Sequence, residues 1–165
     1  KPTANLELSI AAAMNDSDIR SYEAPTISQY TGIIGAGFQG NQLPLSSKYS
    51  ANVGAQYGTP LSMWDEGSWF ARADLSWKDK QFLDASNITW IKARAVLNLR
   101  AGIVKGALGF DVFVNNVAND KNYTGIIVGP LLTPTGSPAP NGANAALLGG
   151  LPELRTYGAR ISYKF

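Results

Sequence analysis

The sequence predicts an all-β fold: about six antiparallel strands of a transmembrane β-barrel, with long extracellular loops. Three observations support this prediction. Apolar and polar residues alternate in six segments, the connections between the segments alternate between short and long, and aromatic residues lie at both ends of the apolar positions. Alternation with period two indicates strands because successive side chains of a strand point to opposite faces of its sheet.

The composition excludes several kinds of protein and site. No apolar stretch reaches the roughly 18 residues that a membrane-spanning helix needs. The 165 residues include no cysteine and no histidine, which removes disulfides, thiolate and imidazole metal ligands, and Ser-His and Cys-His nucleophile pairs. The formal charge of +2 implies no strong attraction to nucleic acid. Only 16% of the residues are charged, which suits strands that are half lipid-facing and half polar.

The first three alternating segments cover residues 5–15, 49–57 and 69–78. Their apolar positions are Leu6, Leu8, Ile10, Ala12 and Met14, then Tyr49, Ala51, Val53, Ala55 and Tyr57, then Trp69, Ala71, Ala73, Leu75 and Trp77. The positions between them are mostly polar, charged or small. Each segment is therefore predicted to be a strand with one apolar and one polar face.

The last three alternating segments cover residues 90–100, 108–115 and 157–165. Their apolar positions are Ile91, Ala93, Ala95, Leu97 and Leu99, then Leu108, Phe110, Val112 and Val114, then Tyr157, Ala159, Ile161, Tyr163 and Phe165. The final segment alternates most clearly, because Gly158, Arg160, Ser162 and Lys164 occupy its other positions. Six strands with the same two-faced pattern are thus predicted.

The connections are sorted by length. Short links at 58–68 and 101–107 alternate with longer ones at 16–48, 79–89 and 116–155. A membrane barrel has this property, with tight periplasmic turns on one rim and long loops on the outer rim. A soluble β-sandwich also alternates along its strands but has no reason to sort its loops by length. Residues 128–152, rich in Pro, Gly, Ala and Asn, are predicted to belong to an extracellular loop.

Aromatic residues on the apolar faces are predicted to form two girdles. The periplasmic girdle would contain Tyr57, Trp69, Tyr163 and Phe165, and the outer girdle Tyr49, Trp77 and Tyr157. The strand from Trp69 to Trp77 covers roughly 26 Å at about 3.3 Å per residue, or roughly 20 Å in height at a tilt near 40°. That height is close to the spacing of the aromatic girdles around a lipid-facing band.

The polar faces supply the candidate lumen-facing residues. They are Arg72, Asp74, Lys78, Lys92, Arg94, Arg100, Asp111, Asn115, Arg160 and Lys164. A basic lumen wall would attract an anionic substrate. Alternatively, these charges pair with acidic groups on neighbouring strands or on a plug outside this sequence, and this second interpretation is the one we favour.

One segment fits the dinucleotide-binding pattern G-x-G-x-x-G, namely Gly35-Ala36-Gly37-Phe38-Gln39-Gly40. That site needs a helix after the glycines, so that the helix N-terminus meets the pyrophosphate. The residues that follow, Asn41-Gln42-Leu43-Pro44, cannot start a helix of useful length. A glycine-rich loop is therefore predicted here.

Several segments, in the same order, resemble the C-terminal barrel strands of TonB-dependent receptors. The matching residues are Gly40-Asn41-Gln42-Leu43-Pro44 with the strand at 48–57, the strand at 70–77, the segment 113–123, which is similar to V-x-N-L-x-(D/N)-x-x-Y, and the segment 151–158, which is similar to P-x-x-x-R-x-(Y/F)-G. The final residues, with Tyr163 and Phe165, resemble the C-terminal assembly signal of outer-membrane barrels. Val117 departs from the commoner Leu, and the 116–155 connection is longer than expected.

The resemblance implies that residues 1–165 are the C-terminal part of a barrel of about 22 strands, without the plug domain and earlier strands. The parent protein would lie in the bacterial outer membrane and import a scarce nutrient, most often a ferric siderophore, driven by TonB. The implied partners are outer-membrane lipid, the remaining strands and plug, the inner-membrane TonB system acting through the plug, a ferric chelate and the barrel-assembly machinery. No enzymatic activity, catalytic residue, cofactor or resident metal, and no nucleic-acid partner, is implied.

Two other classes of protein remain open at this point. A small structural or adhesive outer-membrane barrel would need about two more strands and no plug, since the smallest membrane barrels use about eight strands. A soluble β-sandwich binding module would need neither the aromatic girdles nor a terminal phenylalanine such as Phe165.

Overall fold

The computed structural model describes residues 3–22, 38–130 and 145–165. Within these ranges the chain forms ten strands: β1 (Leu6–Met14), β2 (Tyr49–Pro60), β3 (Gly67–Lys78), β4 (Gln81–Phe82), β5 (Trp90–Ile91), β6 (Arg94–Lys105), β7 (Leu108–Asn115), β8 (Gly125–Pro130), β9 (Ala145–Gly150) and β10 (Thr156–Tyr163). In this part of the chain no helix is long and apolar enough to cross a membrane.

Six strands form one antiparallel sheet in the order β1-β2-β3-β6-β7-β10, which confirms the six predicted strands. The start of the fourth predicted strand is wrong. Trp90 and Ile91 pair with Phe82 and Gln81 in a separate two-stranded sheet, and the main strand begins at Arg94. The predicted loop at 128–152 also contains structure, because β8 and β9 pair with each other outside the main sheet.

The register of the main sheet brings the predicted apolar positions onto one face, called here the apolar face. One row of directly opposed residues crosses all six strands: Leu8, Ala55, Ala73, Leu99, Val114 and Tyr157. The neighbouring rows keep the same phase because each strand pairs with its neighbours without a break. A slip of one residue in any pair would reverse the faces of a whole strand, so the register is what makes the face continuous.

The apolar face is exposed. Ile10 is 76% exposed, Val112 48% and Ile161 77%. Of the described residues, the buried hydrophobic ones are Ile19, Phe38, Ala85 and Ile91, and none of these belongs to the six-stranded sheet. A β-sandwich would bury such a face against a second sheet, so the soluble-sandwich interpretation does not fit the described residues.

The two ends of the main sheet differ. At one end, called the short-turn end, residues 61–66 connect β2 to β3 and residues 106–107 connect β6 to β7. These turns touch, since the Gly106 amide donates a hydrogen bond to the Glu66 carbonyl (3.4 Å) and the Lys105 ammonium lies 5.6 Å from the centre of the Trp64 ring. The other end, called the loop end, has the three long connections, as predicted from the sequence.

Two long connections are joined at the loop end. Ile19, Phe38 and Ala85 form a small buried cluster. Around it, the Ile19 amide donates a hydrogen bond to the Asn41 carbonyl (2.8 Å), and Asn41 Nδ2 donates to the Ala85 carbonyl (2.7 Å). The buried hydrophobic residues therefore sit beyond the sheet, among the loops.

The predicted glycine-rich loop lies in this region. Gly35, Ala36 and Gly37 are outside the described residues. From residue 38 to residue 46 the chain makes turns without a helix, and Gly40 has a positive φ of 83°. Nearby, Asp16 accepts a hydrogen bond from Lys48 across 3.2 Å and raises the pKa of that lysine above its ordinary value.

Candidate functional site on the polar face

The opposite side of the main sheet, called the polar face, brings the predicted lumen-facing residues together. Arg72, Asp74 and Lys78 lie on β3, Arg94 and Arg100 on β6, Asp111 and Asn115 on β7, and Arg160 on β10. All of them alternate with residues of the apolar face. Lys92 precedes β6 and Lys164 follows β10. That this face lines a lumen stays a prediction.

Two arginines in the middle of the polar face are held by carboxylates. Arg72 donates to both oxygens of Asp74, from Nε to Oδ2 (2.7 Å) and from Nη2 to Oδ1 (2.7 Å). Arg100 donates in the same two-pronged way to Asp111, at 2.8 and 2.7 Å. Arg72 and Arg100 are direct cross-strand partners. Like charges at such positions repel, and the two charge-assisted pairs offset that repulsion.

Two phenylalanines also lie on the polar face, among the mostly polar, charged or small residues that the sequence places there. The Phe70 ring lies 5.6 Å from the Arg100 guanidinium carbon. The same ring covers Gly102, where an added Cβ would be 2.8 Å from Phe70 Cε1. Phe113 is the second phenylalanine and faces Gly158 across β7 and β10. The sequence feature that could have indicated these contacts is a glycine at the cross-strand partner position of each phenylalanine.

A cavity of about 230 Å³ lies at the loop end of the polar face. Its lining includes Lys78, Asp79, Lys92, Arg94, Tyr123 and Thr124. We call it the loop-end cavity. Residues from three separate parts of the chain meet there, because β3 and β6 supply the wall and the segment before β8 supplies Tyr123 and Thr124.

The charges around the loop-end cavity are unequally neutralised. Arg94 Nε lies 3.5 Å from Asp120 Oδ2, an ion pair too long for a good hydrogen bond. This nitrogen is buried and has no hydrogen-bond partner among the described residues. Lys78 and Lys92 have no ion-pair partner in the described part of the chain. Asp79 also lines the cavity, and its Oδ1 accepts a hydrogen bond from the Lys80 amide (2.8 Å).

Asn116 fixes the segment that carries Asp120. It is only 2% exposed, has a positive φ of 50°, and its Oδ1 accepts a hydrogen bond from the Asp120 amide (2.8 Å). Its Nδ2 donates to the carbonyls of Asp120 and Glu153, both at 2.9 Å. Asn116 lies in the segment 113–123, for which the sequence resemblance predicted no individual roles. Asparagine adopts a positive φ more readily than most residues, so an asparagine directly after a strand is the sequence feature that could have indicated this turn.

The predicted girdle aromatics all lie on the apolar face, in two groups. Tyr57 and Trp69 are in contact near the short-turn end, with ring centres 5.6 Å apart, and the Tyr163 and Phe165 rings meet edge to face at 5.1 Å. Tyr49, Trp77 and Tyr157 lie near the loop end. Their role as membrane girdles stays a prediction.

The charged residues of the described polar face form ion pairs and a cationic cavity. Among the described residues no group of three or more Asp, Glu, His or Cys side chains could hold a metal ion. The polar face instead offers fixed ion pairs at its centre and a small cavity with cationic and hydroxyl side chains at its loop end.

No protein-family model matches this sequence, and no curated protein is significantly similar to it. Two solved structures are similar in fold. The ferric preacinetobactin receptor BauA from Acinetobacter baumannii superposes with a TM-score of 0.68 at 17% identity, over 99% of this chain and 20% of the receptor. The ferric yersiniabactin uptake receptor FyuA from Yersinia pestis does so with a TM-score of 0.68 at 16% identity, over 99% of this chain and 21% of the receptor.

The comparison concerns fold alone, since the identities are low. The chain spans about a fifth of each receptor, 20% of BauA and 21% of FyuA. Its six-stranded antiparallel sheet has an apolar and a polar face, and within the described residues both of its edges are open. The chain therefore has the fold of a portion of a TonB-dependent receptor β-barrel, as the sequence predicted.

Proposed function

We propose that this chain is part of an outer-membrane active-transport receptor that takes up a scarce nutrient, a ferric siderophore, driven by TonB. One observation carries the proposal: an unbroken apolar face crosses all six strands, opposite a face with fixed ion pairs. A wall between lipid and an aqueous lumen needs these two faces. By their names, one of the two receptors of similar fold is a receptor for ferric preacinetobactin and the other takes up ferric yersiniabactin.

The strand lengths agree with a bilayer. β2, β3 and β6 have 12 residues each, or about 40 Å at roughly 3.3 Å per residue. At a tilt near 40° such strands rise about 30 Å, enough for the apolar band of roughly 25 Å that surrounds an outer-membrane barrel. Residues on the apolar face would then contact outer-membrane lipid.

The open sheet needs further strands. β1 pairs only with β2, and β10 only with β7, so both edges keep unpaired backbone groups in the described structure. Unpaired groups exposed to lipid cost several kcal/mol each. We therefore propose that residues 1–165 belong to a barrel of about 22 strands, whose other strands, with a plug inside the lumen, complete the parent chain. The plug would face the polar side of this sheet and transmit the pull of the inner-membrane TonB system.

Uptake of radioactive iron tests this function. The complete receptor that contains this chain would be expressed in iron-starved cells that lack their own ferric siderophore receptors, with and without an intact TonB system. We expect accumulation of iron from at least one ferric siderophore, and we expect it to stop when TonB is removed. A folded surface protein that gives no TonB-dependent uptake from any siderophore offered would instead favour a structural or adhesive barrel.

A further inference from the structure

We propose that the loop-end cavity binds one anionic group of the transported chelate, of the carboxylate class, through Lys78, Lys92 and Arg94. The inference rests on the proposed transport function and adds the chemical group that this wall recognises. It follows from an imbalance of charge on the polar face, from a like-charge pair across two strands, and from the size of the cavity.

The charge imbalance is local. The central arginines, Arg72 and Arg100, each have a carboxylate held by two hydrogen bonds of 2.7–2.8 Å. At the loop-end cavity three cationic side chains converge, and Asp120 is the ion-pair partner of only one of them. Asp79 is the other carboxylate at the cavity. Three cationic side chains against two carboxylates leave a net positive charge there. Positive potential therefore concentrates where the three long connections leave the sheet.

Because of the cross-strand register, the excess positive charge destabilises the sheet when no ligand is bound. Lys78 and Arg94 are direct partners on β3 and β6, as Arg72 and Arg100 are. Like charges directly opposite each other destabilise a sheet. Arg72 and Arg100 are each neutralised by their own carboxylate, whereas Lys78 is not. The buried Nε of Arg94 also lacks a hydrogen bond. An anion bound beside Lys78 and Arg94 would offset the repulsion between these two side chains.

The dimensions of the cavity limit its occupant. Pockets for whole drug-sized ligands measure about 300–1,000 Å³, and this one measures about 230 Å³. It suits a single arm of a chelate. Tyr123 also lines the cavity, and its hydroxyl is able to donate a hydrogen bond to a carboxylate. The hydroxyls of Ser76 and Thr124, which line the cavity too, donate within the protein, to Asn52 Oδ1 (3.0 Å) and to the Gly150 carbonyl (3.2 Å). Gly149 helps to place the Tyr123 ring, because a Cβ at Gly149 would be 2.9 Å from it.

Binding to the purified complete receptor in detergent tests the inference. The probes are ferric citrate, ferric complexes of carboxylate and catecholate siderophores, and a ferric trishydroxamate without a free anionic group. We expect Lys78→Gln and Lys92→Gln each to weaken the binding of anionic complexes by about tenfold, as loss of a charged hydrogen bond does. Binding of the hydroxamate complex should change less than twofold. Lys78→Arg should retain most of the affinity, because it keeps the charge.

A matched control separates a local site from a general effect of charge. Lys164→Gln removes one positive charge from the polar face at the short-turn end. An equal loss of affinity in Lys164→Gln, or no loss in Lys78→Gln and Lys92→Gln, would overturn the inference and leave the transport function standing. If the wild-type receptor binds only the hydroxamate complex, the inference is likewise overturned and the transport function stands. Failure of the wild-type receptor to bind any ferric complex would instead overturn the transport function itself. The heat-induced shift in gel mobility checks that each variant is folded.

Discussion

The ring of Phe113 lies directly on Gly158, its partner across the pair of strands β7 and β10. A Cβ built at Gly158 would overlap the Cζ, Cε1 and Cε2 atoms of the ring. The glycine is therefore needed for space, and the ring covers backbone that glycine leaves bare, which is a known way to stabilise glycine in a sheet. This contact joins the closing strand to the rest of the sheet on the polar face.

Replacement of Gly158 by alanine should destabilise the barrel by about 1–3 kcal/mol, because the phenyl ring must leave its position. Urea unfolding of the complete receptor in lipid vesicles measures this. The double variant Gly158→Ala/Phe113→Ala should lose less stability than the two single changes added together. Gly125→Ala is a suitable control, since a Cβ there meets nothing within 4 Å. Equal effects of the changes at positions 158 and 125 would contradict the packing argument.

The two faces of β10 should respond differently to charge. Ile161 lies on the apolar face, 77% exposed, and Ser162 on the polar face opposite Gly109. Ile161→Arg is expected to cost about 2 kcal/mol, since the penalty for arginine on a lipid face is about 2–4 kcal/mol at the midplane and falls toward the interfaces. Ser162→Arg should cost much less. Refolding of both variants into vesicles compares them, and similar penalties would refute the assignment of the faces.

Most of the main sheet could be predicted from the sequence because one face of every strand is apolar and the period is two. The interruption between β5, which ends at Ile91, and β6, which begins at Arg94, could not be predicted. Ile91 continues the alternation of apolar residues that includes Ala95 and Leu97. Alternation shows which face of a sheet a side chain occupies, but it does not determine which strand the residue pairs with. In the structure Trp90 and Ile91 join β4 instead. The hairpin of β8 and β9 was missed for a different reason: its residues are small or apolar without alternation.

The candidate site was predictable only in part. The sequence placed the charged residues on one face, but it could not say which of them are neutralised. That depends on rotamers and register, such as the pairing of Arg100 with Asp111 in the neighbouring strand. The interpretation that the charges pair with acidic groups on neighbouring strands fits Arg100, whose partner Asp111 lies on β7. Arg72 pairs within its own strand, and Arg94 pairs with Asp120 in the connection after β7. The interpretation fits neither Lys78 nor Lys92 within the described residues. The segment with Asn116, Asp120 and Tyr123 also contributes to the site. Its position beside β3 and β6 depends on long-range contacts, which a local sequence pattern does not predict.

Asn87 should hold two outer connections together. Its Nδ2 donates to the Gln42 carbonyl (2.9 Å), its Oδ1 accepts from the Gln42 amide (2.7 Å), and its φ is positive at 55°. Asn87→Ala removes both hydrogen bonds and strains the backbone, so faster hydrogen exchange at the Gln42 amide is expected, by about tenfold or more.

A glycine variant separates the two causes. Asn87→Gly accepts the positive φ without strain but still lacks the hydrogen bonds, so it should exchange faster than wild type and more slowly than Asn87→Ala. The unfolding of the barrel itself should stay unchanged in both variants, because the contact lies beyond the main sheet. Wild-type exchange at Gln42 in either variant would show that the two connections are held by other contacts.

The 165 residues expressed alone should not form a stable monomer in water. The apolar face, with Leu75, Val112 and Ile161 exposed, crosses six strands and presents far more than the few hundred Å² of contiguous apolar surface that a soluble monomer tolerates. The edges of β1 and β10 would also be free to pair with other chains. Size-exclusion chromatography with light scattering in detergent-free buffer should therefore show aggregates, and addition of detergent should reduce them. A monodisperse monomer that melts cooperatively without detergent would mean that the chain buries this face by itself, which the described sheet cannot do.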